Sequence, residues 1–164
     1  MYLLVERGAN VHSQDSSGQN FLLALCSSYR GDSFAELLLL LVEQRVNFQV
    51  TDDKGRGALI CLTANSHLTS EKFVEIAGML IKLEVSVNAV DEDCSNLLHY
   101  LCKSHTRENL IRCVRYLITE TDMDLEAKDK WGLRPVDYLR KTSSHLIQQY
   151  RLDKIIDLLA PLID

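Results

Sequence analysis

Four residues in the stretch from 94 to 105 carry the side chains that zinc takes: Cys94, His99, Cys102 and His105. A zinc ion needs four nitrogen or sulfur ligands converging tetrahedrally. His99 could also serve as a base, but no serine or cysteine is placed beside it as a nucleophile. The chain has no phosphate-cradling glycine loop, no His-Glu-x-x-His and no nucleophile elbow, and its seven glycines are scattered. A second set of residues suits recognition instead. Trp131, the only tryptophan, sits at the tip of a turn and offers the large rigid contact area that binding hot spots favour. Tyr100 and Tyr138 stand one residue after His99 and Asp137, with Lys103 and Ser104 a turn beyond Tyr100.

The elements that position these residues emerge when the chain is laid on itself. Leu3-Leu4-Val5-Glu6-Arg7-Gly8-Ala9-Asn10-Val11 returns as Leu40 to Phe48, Met79 to Val87 and Leu117 to Leu125. Each copy is followed by an aspartate (Asp15, Asp52, Asp91, Asp129) and, three residues later, by Gly18, Gly55, Cys94 or Gly132. Leu22, Leu59, Leu98 and Val136 follow in register, then Leu25, Leu62, Leu101 and Leu139. The spacings between aspartates are 37, 39 and 38 residues. Asp-x-x-Gly is turn chemistry, since aspartate caps and glycine accepts positive φ. A short helix with apolar residues three and four apart (Leu22, Leu25, Cys26) follows, then a polar loop, then a second helix carrying Phe34, Leu37, Leu38 and Leu41. Neither helix buries its stripe alone, so the units must stack.

This pattern resembles the ankyrin-repeat family. The resemblance rests on Leu3 to Val11, on Asn96-Leu97-Leu98-His99 and on Asp129-Lys130-Trp131-Gly132-Leu133-Arg134-Pro135-Val136-Asp137, and it spans almost the whole chain. It implies an all-α solenoid of about four and a half helix–turn–helix repeats with short hairpin-like fingers. The units read as a partial repeat at 1–14, repeats at 15–51, 52–90 and 91–128, and a C-terminal capping repeat at 129–164, whose outer helix carries Leu152, Ile155, Ile156, Leu158 and Leu159. The family period is about 33 residues. The surplus here falls between the paired helices, near Tyr29–Asp32, His67–Ser70 and His105–Glu108. The glycine that ends the outer helix survives only as Gly8, with Arg45, Glu84 and Asp122 in its place. A left-handed backbone there would cost each up to about 1 kcal/mol.

The register separates the four zinc-type side chains. Cys94 takes the turn-glycine position, His99 starts an inner helix, Cys102 faces the core and His105 lies in a loop, so no metal site is expected. The resemblance makes His99 structural, bonded to the backbone of the neighbouring turn. It also turns Tyr100 and Tyr138 toward the concave groove, where Ala24 and Cys61 hold the equivalent positions, and it puts Trp131 on a fingertip. Asp52, Asp53, Lys54, Glu92, Asp93, Lys128 and Lys130 fall on or near fingertips, where charge tunes partner choice and encounter rate more than affinity.

Composition removes other classes. The net charge of −5 argues against nucleic acid and anionic membrane surfaces, which need clustered positive charge. No apolar run approaches the roughly 18 residues of a membrane span, and the N-terminus lacks a signal-peptide pattern. Five cysteines without a framework spacing fit a reducing compartment, cytoplasm or nucleus. The expectation is a non-catalytic adaptor or scaffold module with no cofactor and no small-molecule substrate. Tyr100, Lys103, Trp131, Tyr138, Asp93 and Lys130 are its candidate partner-binding residues. The alternative is a small regulatory subunit or inhibitor of a protein kinase.

Overall fold

The repeated Asp-x-x-Gly step builds the same turn four times. In each, the aspartate N–H donates to the carbonyl four residues on, and the residue three along donates back to the aspartate carbonyl: Asp15 with Gln19 and Gly18, Asp52 with Arg56 and Gly55, Asp91 with Ser95 and Cys94, Asp129 with Leu133 and Gly132. One side-chain oxygen of each aspartate then accepts the N–H groups two and four residues on, closing what would otherwise be unpaired donors. The fingers are therefore capped turns. Their only ladder pairing among the described residues is an isolated antiparallel bridge between Val90 and Asn96.

The computed structural model describes residues 10–103 and 110–141, and within them the chain is all-helical. The elements are α1 (Phe21–Ser28), α2 (Phe34–Glu43), α3 (Ala58–Thr63), α4 (Ser70–Lys82), α5 (Leu97–Lys103), α6 (Leu110–Glu120) and α7 (Pro135–Lys141). Asn20 caps α1 by accepting the Leu23 N–H at 3.0 Å, and Thr69 caps α4 through the Lys72 N–H at 3.2 Å. Pro135 opens α7, where its missing N–H costs nothing.

Contacts sort the helices into two rows. The short helices α1, α3, α5 and α7 pack each on the next, as do the longer α2, α4 and α6, and α1–α2, α3–α4 and α5–α6 pack as pairs. The core runs between the rows through Leu22, Leu41, Leu62, Leu80, Leu98, Leu117 and Leu139, all fully buried. α3, flanked on both sides within its row, buries every one of its residues. Polar side chains tie one unit to the next. The Asn65 amide donates to the Cys26 and Tyr29 carbonyls, and Gln49 donates to the Glu84 carbonyl. Asn88 donates to the Asp122 carbonyl and accepts the Asp124 N–H, both at 2.7 Å.

Two of the three outer-helix ends behave as the register requires. Arg45 (φ 54°) and Glu84 (φ 62°) are left-handed, and the N–H groups of Val46 and Val85 reach back to the Leu41 and Leu80 carbonyls, the Schellman closure. Asp122 departs from the expectation, since its φ is not positive. After α6 the Thr121 hydroxyl takes the Leu117 carbonyl and Asn88 holds the Asp122 carbonyl, so the helix end is closed by side chains.

The first two lengthened loops do fall between paired helices, α1–α2 and α3–α4. The third loop with His105, most of the partial repeat at 1–14 and the helix proposed around Leu152–Leu159 lie outside the described residues. Among the described residues no helix is long and apolar enough to cross a membrane.

Candidate functional site

Successive fingers are hydrogen-bonded in a chain. The Asp53 N–H donates to the Ser17 carbonyl at 3.1 Å, Glu92 to Lys54 at 3.0 Å, and Lys130 to Asp93 at 2.8 Å. This contact explains Gly18. Its φ is +73°, and a Cβ there would lie 2.7 Å from the Asp53 nitrogen. Cys94 holds the same turn position with φ 58°, a conformation that costs a side chain about 1 kcal/mol.

The six residues singled out from the sequence come together where the last two fingers meet α5 and α7. The Lys103 ammonium lies 4.5 Å from the centroid of the Tyr138 ring, 5.6 Å from Trp131 and 5.7 Å from Tyr100, and it donates to Ser95 Oγ at 3.0 Å. Such distances are those of cation–π attraction. The Lys130 ammonium stands 4.7 Å from the Trp131 centroid and pairs with Asp93 Oδ1 at 2.5 Å, joining the third and fourth fingers through side chains as well as backbone. Trp131 itself is 58% exposed. Its ring therefore rests against two lysine ammoniums and leaves a broad apolar surface open to solvent.

Tyr100 and Tyr138 are half-buried and do more than face a groove. The Tyr100 hydroxyl donates to Asp91 Oδ2 at 2.6 Å, and the Tyr138 hydroxyl makes the same bond to Asp129 Oδ2. Each tyrosine braces the root of its own finger. Burial, then the facing carboxylate, pushes the Tyr100 phenol well above its usual range and Tyr138 up to about 12. Burial would raise Asp129. The Tyr138 hydroxyl and the Leu133 and Trp131 N–H groups outweigh it, and the carboxyl sits below its ordinary value.

Asp52 corrects the reading of the fingertip charges. It is buried (5% exposed), because its second oxygen is taken by Arg56, at 2.6 Å to Nη2 and 2.8 Å to Nε. Asp53, Lys54, Glu92, Lys128 and Lys130 are exposed, and Asp93 is half-exposed.

The residues considered for zinc diverge. Cys94 is exposed at its turn, while His99 and Cys102 are buried in α5. Among the described residues no cluster of histidine, cysteine and carboxylate side chains has metal-holding geometry. His99 bonds the neighbouring turn, with Nε2 donating to the Leu133 carbonyl at 3.0 Å, while Nδ1 lies against Asn96, 3.2 Å from its backbone nitrogen and 2.7 Å from its Oδ1. Burial holds its pKa below the usual value. Burial also raises the thiols of Cys61 and Cys102 to about 11 and 12, far from a thiolate nucleophile.

The sequence reading missed Asp91, Asp129, Ser95 and Arg56. Asp91 and Asp129 were visible as turn residues, but their second oxygens were not assigned. Beside the cluster, α3 and α5 enclose an open groove of about 320 Å³ lined by Arg56, Ile60, Thr63, Ala64, Tyr100 and Lys103. No protein-family model and no curated protein matches this chain.

Proposed function

We propose that this chain is an ankyrin-type repeat array acting as a non-catalytic protein-interaction module, and that it docks its partner on the face formed by α5, α7 and the last two fingers. The carrying observation is Trp131: a tryptophan more than half exposed, within cation–π distance of the Lys103 and Lys130 ammoniums, with two half-buried tyrosines gathered around the same Lys103. A large aromatic in a pre-positioned setting gives contact area at little entropic cost. The stack itself supports the fold reading, through four turns in one register, two rows of helices and a shared core. Residues 15–51, 52–90 and 91–128 are its repeats, and 129 onward begins the terminal one.

The test is position-specific photo-crosslinking in cells. A crosslinking residue at position 131 should give a discrete protein adduct. The same residue at position 39, exposed on α2 in the opposite row, should not. Equal adducts at both positions, or none at 131, contradict the docking face. Identification of the adduct as a protein kinase would single out the regulatory-subunit form of the proposal.

A further inference from the structure

The charge of the groove beside Trp131 runs against the charge of the chain. The protein carries a net −5, yet the six residues lining the groove include two cations, Arg56 and Lys103, and no carboxylate. Nearby carboxylates are committed elsewhere. Asp91 and Asp129 are buried at the finger roots, each accepting a tyrosine hydroxyl and two backbone N–H groups. Asp93 is paired with Lys130 and Asp52 with Arg56. Lys103 differs from these two cations, having no carboxylate in salt-bridge contact among the described residues. Its ammonium makes one hydrogen bond, to Ser95, and otherwise rests among three rings. An ammonium has three N–H donors, so Lys103 keeps donor capacity at the mouth of the groove.

Ile60 and Ala64 are the apolar residues of the groove lining, with Tyr100 beside them. Lys103 belongs both to this groove and to the surface under Trp131. A peptide bound at Lys103 would therefore find apolar surface beside the positive charge, from Trp131 and from Ile60 and Ala64.

Building on the docking face proposed above, we infer that the partner presents a peptide segment with an aspartate or glutamate beside a bulky apolar residue. The carboxylate accepts from Lys103, and the apolar side chain packs on Trp131 or enters the Ile60–Ala64 groove. Charge-assisted bonds of this kind are the strong ones, and a cation held by aromatic faces pays little ordering cost to make them.

Selection of a random peptide library against the intact protein tests this, with each selected peptide re-measured on variants. Peptides whose binding is lost in Trp131→Ala should be enriched in an acidic residue next to an apolar one. Lys103→Met should weaken them about tenfold, Lys103→Arg should stay within about threefold, and amide replacement of the peptide carboxylate should match the loss in Lys103→Met. Thermal unfolding of each variant verifies that it is folded. Trp131-dependent peptides that are basic or neutral, or acidic ones indifferent to Lys103→Met, overturn the inference and leave the docking face standing. A selection that yields no Trp131-dependent peptide overturns both.

Discussion

The first and the last described fingers share a backbone and differ in what holds the second oxygen of their aspartate. Asp15 and Asp129 each accept two N–H groups through Oδ1, at distances between 2.8 and 3.0 Å. Asp15 is exposed and adds only a bond from the Ser17 hydroxyl to that same oxygen. Asp129 is buried and takes the Tyr138 hydroxyl on Oδ2, and Asp91 takes Tyr100 in the same way. The inner-helix position that supplies these tyrosines is Ala24 in the first unit and Cys61 in the second. One substitution pattern thus does two things. It anchors the last two fingers to their helices, and it supplies two of the three rings around Lys103. The proposed docking face and the bonds that brace the fingers share residues at that end of the stack, whereas Ala24 and Cys61 supply neither a ring nor a hydroxyl at the other.

The largest consequence is in stability. Asp91→Ala strips partners from the buried Ser95 N–H, the part-buried Asp93 N–H and a half-buried hydroxyl, and should cost about 3 kcal/mol in denaturant unfolding. Asp15→Ala, at an exposed turn, should cost under about 1 kcal/mol. Similar losses at the two sites would erase the distinction drawn between the fingers.

A finer cut is Tyr138→Phe, which keeps the ring beside Lys103 and removes the hydroxyl that bonds Asp129. It should lower stability by about 1–2 kcal/mol while partner affinity falls less than threefold. Tyr138→Ala should lower both. A Phe variant that loses binding outright would mean that the hydroxyl, not the ring, meets the partner.

These tests also show what could be read from residue types alone. The stacking register was legible because Asp15, Asp52, Asp91 and Asp129 recur with their glycines and leucines, and turn chemistry ties each type to one conformation. The left-handed backbone at Arg45, Glu84 and Cys94 followed from position in that register. So did the neighbourhood of Tyr100 and Tyr138, since equivalent positions on stacked units become neighbours. The fate of each aspartate's second oxygen was not legible, because it depends on rotamers that bring Arg56, Tyr100 or Tyr138 back over the turn. That is why Asp52 read as a surface charge and lies buried. The ordinary backbone at Asp122 was hidden for a similar reason, as Thr121 and Asn88 satisfy carbonyls that a left-handed residue would otherwise help to close.

Cys94→Gly should sharpen the comparison in the opposite direction. It relieves a positive φ in a turn whose counterparts are glycines, and should stabilise the protein by about 0.5–1 kcal/mol. A loss of stability would mean that the Cys94 side chain makes a contact that outweighs its strain.

The smallest effect is in pH. The folded-state pKa of His99 is depressed, so its contribution is intact above the unfolded value of about 6.5 and is lost as pH falls below it, because the unfolded chain takes up the proton first. His99→Gln, which keeps an N–H donor for the Leu133 carbonyl, should lack the decline that sets in below about pH 6.5. Asp129, also depressed, adds a second loss on acidification below about 3.9 in both proteins. An identical decline in the two setting in below about pH 6.5 would place the titrating group elsewhere.

The central claim is that Trp131 stands open in the free protein and is covered in the complex, and the chain's single tryptophan reports on this without labelling. Tryptophan fluorescence with acrylamide quenching should show a solvent-exposed, readily quenched indole in the free protein. Addition of the crosslinked partner, or of a selected acidic peptide, should shift the emission to the blue and protect it from quenching. A shielded indole in the free protein, or exposure unchanged at saturation, would contradict the account.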